Sequence, residues 1–191
     1  FHARHAEELG PDAARLRRLA LPRLPEPLFR ALLTALQGEG RVAVRGAFVH
    51  LPEHGVRLSA TEERIAQKVA PRLAQAGFEG AWARDLARDS GEGEALMRTT
   101  LARLAQRGEL HQVVKDLYYP LATMATLAGL ARQVAADHDG IVTAATYRDA
   151  TQLGRKRAIQ LLEHFDRIGL TRRVGDVHRL RTDSTLFKAA A

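Results

Sequence analysis

Cysteine is absent from the 191 residues, so the chain carries neither a disulfide framework nor a thiolate metal site, which fits a reducing cytoplasm. No apolar run is long enough to span a bilayer, and no charged start with an apolar middle opens the chain; a soluble protein without membrane contact is expected. Serine is confined to Ser59, Ser90 and Ser184, none of them in a nucleophile elbow, and no carboxylate pair or His-Asp-Ser set has recognisable spacing. The phosphate-binding pattern Gly-x-x-x-x-Gly-Lys-Ser/Thr is missing as well, which excludes a GTPase of that type from this chain. His2 and His5 lack a third ligand. In Asp137-His138-Asp139-Gly140 the side chains are neighbours on a turn and rarely converge, so no metal is assigned. No long heptad segment is present to build a dimer, and a monomer without cofactor is expected.

What is abundant is positive charge. Lysine and arginine number 29 against 22 acids, a formal net charge of +7 that points to a polyanionic partner, nucleic acid by default. The charge is concentrated in one informative stretch, residues 154–173. Ala158, Leu161, Leu162, Phe165 and Ile168 recur at three- and four-residue intervals and predict an amphipathic helix with Lys156, Gln160 and Arg167 on its outer side. Gly169 closes it and Arg172-Arg173 open an extended segment. Arg155, Lys156 and Arg157 then crowd the helix start, where backbone N–H groups already favour an anion. A merely solvated basic helix start is the bland competitor.

Two weaker copies of this unit lie upstream. Gly40, Gly108 and Gly169 each follow a helical pattern with Leu36, Leu104 or Phe165 four places earlier and Leu33, Leu101 or Leu162 seven places earlier. Each is followed by a β-like run with a polar turn: Val42 to Leu51, Leu110 to Tyr119, and Leu170 to Leu180. A threefold array of helix and hairpin follows, with domains at 1–57, 58–120 and 121–191. The corresponding helix starts differ in charge. Pro25-Glu26-Pro27 and Gly91-Glu92-Gly93-Glu94 are acidic, and only Arg155-Lys156-Arg157 is basic, which weakens the bland reading.

Along the chain, residues 1–8 read as the tail of a helix begun before Phe1. Asp12 caps the next helix, whose Arg15, Arg17 and Arg18 face out, and Leu28, Phe29, Leu32, Leu33 and Leu36 form the first core stripe. Pro52-Glu53-His54-Gly55 is a linker, and Ser59 to Glu62 has the spacing of a capping box. Pro71 should kink or split the helix carrying Ile65, Val69 and Leu73. Trp82 is assigned with Leu86 to a short helix and to the core, in preference to a base-stacking platform. Tyr118-Tyr119-Pro120 leaves almost no linker before the next helix, Ile141-Val142 form a brief strand and Thr143 caps a short helix. Helix, strand, helix, turn, helix and two-stranded wing is the order of a winged helix; the fold class is mainly α with small β-wings, tandem winged-helix domains.

Tyr147-Arg148-Asp149, Gly154-Arg155-Lys156, Ile159, Leu162-Glu163, Phe165-Asp166-Arg167, Gly169, Thr171-Arg172-Arg173 and Gly175-Asp176 resemble the C-terminal winged-helix domain of SelB, the bacterial selenocysteine-specific translation elongation factor. Arg15 to Pro22 and His50-Leu51-Pro52 are similar to the same family's C-terminal extension. The resemblance implies a fragment holding the last three of four tandem domains, the first of them N-terminally incomplete. In that family the final domain grips an mRNA hairpin, the selenocysteine insertion sequence, while GTP and selenocysteyl-tRNA are bound upstream. It implies RNA contacts at Arg148, Arg155, Lys156, Arg157, Arg172 and Arg173, with His178 and Arg179 at positions where members vary. Partners so implied are the mRNA stem-loop and, through the full-length factor, the ribosome and selenocysteyl-tRNA. A tandem winged-helix regulator that inserts the same helix into DNA, and a structural array that docks on another protein, stand as alternatives.

Overall fold

The computed structural model describes residues 1–5, 8–52, 54, 58–184 and 186–187; Glu53 and Gly55 of the expected linker lie outside the described residues. Three helix-and-wing units follow one another. The first contains α1 (Ala13–Ala20), α2 (Glu26–Gly38), β1 (Ala43–Arg45) and β2 (Phe48–His50). The second contains α3 (Ala60–Gln75), a 3-10 turn (Gly77–Glu79), β3 (Ala81–Trp82), α4 (Ala83–Ser90), α5 (Glu94–Gln106), β4 (Leu110–Val114) and β5 (Leu117–Pro120). The third contains α6 (Leu121–Asp137), β6 (Ile141–Val142), α7 (Ala144–Thr151), α8 (Arg155–Ile168), β7 (Thr171–Val174) and β8 (Val177–Leu180).

Local chemistry accounts for most element ends. Asp12 accepts from the Arg15 amide at 2.7 Å, Ser59 and Glu62 form a reciprocal capping box, and Thr143 and Thr146 form another. Gly40, Gly108 and Gly169, the three helix stops of the repeat, have φ of 69°, 73° and 84°, a left-handed conformation that a Cβ would disfavour. All three wings are antiparallel hairpins, and each of the two later ones gains a short third strand, in the orders β3-β5-β4 and β6-β8-β7.

The cores differ in depth. In the first unit Leu9, Phe29 and Val49 are buried, but Leu28 and Leu32 are 59% and 40% exposed, so the expected stripe is only partly covered. Residues 1–5 form turns instead of a helix tail; His2 reaches the Leu9 carbonyl at 2.9 Å and stacks on His54. Helix α3 runs unbroken through Pro71. The proline faces solvent, where water can satisfy the Gln67 carbonyl that it deprives of a partner.

The second and third units are joined without a gap, α6 beginning one residue after β5 ends. Strand β5 faces two cores. Tyr118 packs with Ile65, Met97 and Leu101 of the second unit, while Leu117 and Tyr119 pack with Met124, Leu161 and Phe165 of the third. Alternation of side chains along one strand therefore welds the two units. At the same seam Arg167 donates to the Val113 carbonyl of β4 and lies 3.2 Å from His164 Nδ1, so it crosses to the neighbouring unit where an outward-facing side chain was expected.

Candidate nucleic-acid interface

Helix α8 is held by Ala158, Leu161, Leu162 and Phe165, all fully buried, and its turn from α7 is set by Gln152 in a left-handed conformation. Gly154 is its N-cap, with no side-chain cap and no acid in the first turn. The equivalent helices α2 and α5 carry Glu26 and Glu94 there. The open N–H groups and positive dipole end of α8 are thus left for an external anion, beside two exposed cations, Arg155 and Lys156. Neither has a salt bridge or side-chain hydrogen bond among the described residues.

Arg157 is placed differently. Its side chain is only 14% exposed, its Nε is 3.4 Å from Glu79 Oε2, its Nη1 donates to Gln160 at 3.3 Å, and its guanidinium lies 5.5 Å from the centroid of the Trp82 ring. The third member of the basic run is spent on the seam between the second and third units. Trp82 itself is neither helical nor core: it ends β3 as the N-cap of α4 and is 38% exposed.

The wing is fixed to α8 through Asp166. Thr171 on β7 donates to one carboxylate oxygen at 2.7 Å, and His178 on β8 meets the other at 2.7 Å. His178 is buried and serves this clamp, a role that spacing in the sequence did not reveal. Arg172 and Arg173 project from β7 and are exposed. Arg173 donates to the Gly175 carbonyl and lies 3.9 Å from Glu163 of α8. Arg148, at the end of α7, is exposed and paired with its neighbour Asp149 at 2.6 Å. The arrangement can therefore offer Arg155, Lys156 and Arg172 to phosphates at little cost. Arg148, Arg157 and Arg173 must first leave existing partners.

The buried seam beneath α8 is ionisable too. His164 Nε2 lies 3.3 Å from His111 Nδ1 on β4, and His111 Nε2 is buried without a partner among the described residues. Burial depresses both imidazoles, His111 to about 4 and His164 to about 3, with the mutual repulsion of the pair and Arg167 adding to the effect at His164. Both are neutral near pH 7. Among the described residues no group of three or more His, Asp or Glu side chains is arranged for a metal, and no helix is long and apolar enough to cross a membrane.

Three family models match consecutive parts of the chain. Residues 1–51 and 133–180 match models described as "Elongation factor SelB, winged helix", and residues 58–119 match "Selenocysteine-specific elongation factor, winged helix domain". The selenocysteine-specific elongation factor of Escherichia coli K12 is 41% identical over 188 residues, 98% of this chain and 30% of the relative. That of Haemophilus influenzae is 33% identical over 187 residues, with the same coverage of 98% and 30%. The chain thus spans about a third of the length of these relatives. The solved mRNA-binding domain of elongation factor SelB from E. coli, in complex with SECIS RNA, matches with a TM-score of 0.61 and 42% identity, covering 65% of this chain and 99% of that one.

Proposed function

Because this chain belongs to the SelB family of elongation factors, over its winged-helix region, we propose that it binds an mRNA hairpin, a selenocysteine insertion sequence. It thereby tethers the factor to the message for selenocysteine insertion at UGA. The observation that carries this reading is the uncapped, acid-free start of α8, flanked by exposed Arg155 and Lys156 and accompanied by Arg172 and Arg173 on a wing locked to the same helix. Side chains cannot read the deep groove of A-form RNA, so a compact helix end and wing suit a loop or bulge better than a long duplex. Arg155 and Lys156 hold phosphates at the bend of the hairpin, Arg172 and Arg173 take the adjoining backbone, and Arg148 shapes a pocket for an unpaired base. Arg157 contributes only where RNA draws it from Glu79.

On the same reading the division at 57 and 120 separates two spacer units from an RNA-gripping one. The chain acts as a monomer in the cytoplasm, without catalysis or a cofactor of its own, and GTP, selenocysteyl-tRNA and the ribosome are engaged through other parts of the factor. The decisive measurement compares a SECIS RNA hairpin with a DNA duplex of equal length at low and moderate salt. Hairpin-selective binding that survives the salt step, and whose salt slope falls by about one in Lys156→Ala, is the expected result. Preference for the duplex would overturn the proposal.

A further inference from the structure

We propose that Trp82 is a second RNA contact, a base-stacking platform on the middle unit placed beside the α8 start. It would receive a nucleotide running on from the phosphates held by Arg155 and Lys156. The inference rests on the RNA-binding reading above and extends it across the seam to a unit that otherwise serves as a spacer.

Strand alternation explains why this indole is outside. Ala81 is buried in the second core, so Trp82, its neighbour on β3, turns to the opposite face, and β3 is the edge strand of its sheet. Its cross-strand partner Leu117 belongs to the third unit's core, which brings Trp82 to the rim of the seam where α8 begins. The platform is also rigid. Tyr119 donates to the Phe78 and Glu79 carbonyls, 3.1 Å from each. Gly80, at φ 70°, lies so close to the Tyr119 ring that a Cβ would sit 2.5 Å from it. The segment that presents Trp82 is thus clamped on the strand that welds the two units.

Charge completes the site. Arg157 offsets Glu79, the acid that would otherwise repel a phosphate, and presents its guanidinium to the indole. Arg155 and Lys156 precede it with free guanidinium and ammonium groups among the described residues, and Arg84, 76% exposed and 3.8 Å from Asp85, follows Trp82 by two residues. An exposed aromatic among cations is the arrangement that holds single-stranded nucleic acid. The cations track the backbone while the ring accepts any base, because every base has a π-face.

Trp82 is the chain's single tryptophan, so its emission reports this site alone. The test uses the whole chain with a SECIS hairpin carrying a few unpaired nucleotides beside the stem, and follows both tryptophan emission and RNA anisotropy. Expected are quenching that saturates with the anisotropy and about tenfold weaker binding for Trp82→Ala with an unchanged salt slope. Trp82→Phe should recover most of that loss. The Phe variant separates stacking from a folding defect, since it keeps an aromatic ring on the rim. Emission unchanged at saturating RNA, or affinity within about twofold of wild type for Trp82→Ala, overturns the inference while leaving hairpin binding intact. Failure of the wild-type chain to bind the hairpin at all would overturn both.

Discussion

Among the described glycines of the first unit, Gly10 has the least room. A Cβ there would lie 2.0 Å from the Val49 carbonyl oxygen, on a strand that the Val49 amide ties to Pro11 at 2.9 Å. Gly10→Ala is expected to push β2 from the entry to α1 and cost about 1–3 kcal/mol, read as a lowered melting temperature. Glu62 is the complementary case, a carboxylate made secure by its surroundings. The Ser59 amide, with Ser59 Oγ and Arg103 behind it, holds its pKa below the usual 4.5 although burial opposes this. An acid with a depressed folded pKa stabilises above its unfolded value, and that stability is lost as pH falls through the folded one. Glu62→Gln should therefore cost about 1–2 kcal/mol near neutrality, and chemical denaturation at acid pH should find a smaller gap from wild type. Such caps were legible in the sequence because donor and acceptor are three residues apart. The fate of Arg157 was not, since its partner Glu79 is 78 positions away.

Between elements, the seam of β4 and α8 sets the acid response. His111 and His164 titrate at about 4 and about 3 when folded against an ordinary 6.5, so the unfolded chain binds more protons throughout that interval. Stability must fall as pH drops from about 6.5 toward those values. A His111→Gln/His164→Gln double variant is expected to flatten this limb of a stability-versus-pH curve measured by denaturant titration; an equally steep limb would place the acid sensitivity elsewhere. Elements themselves were well anticipated. Glycine stops, apolar periodicity and two-residue turns are local signals, and the three helix-and-wing units follow from them. Three features escaped for related reasons. A stripe containing Leu28 and Leu32 says that a face is apolar, without saying that anything covers it. A proline in a helical pattern is harmless when the orphaned carbonyl faces water. The alternation around Trp82 also cannot reveal which face of a two-residue strand is inward.

At the scale of the whole chain, the second and third units are welded by β5, whose Tyr118 belongs to one core and whose Leu117 and Tyr119 belong to the other, whereas the first is joined to the rest by side-chain contacts such as Arg45 with Glu109 at 3.6 Å and Arg30 with Asp183 at 3.7 Å. Exposed pairs of this kind contribute little. Calorimetry should accordingly resolve a small transition for the first unit and one cooperative transition for the other two. Leu162→Ala, which empties a fully buried site, should destabilise the larger transition by about 2–5 kcal/mol and leave the smaller one in place. The double-faced strand β5 has a consequence for the gene as well as for the protein. Recombination or engineering that cuts at residue 120 would open Leu117 and Tyr119 of one product, and Met124, Leu161 and Phe165 on the helices of the other, to water. The smallest transferable module bearing the basic helix is therefore a pair of units, inherited and exchanged together.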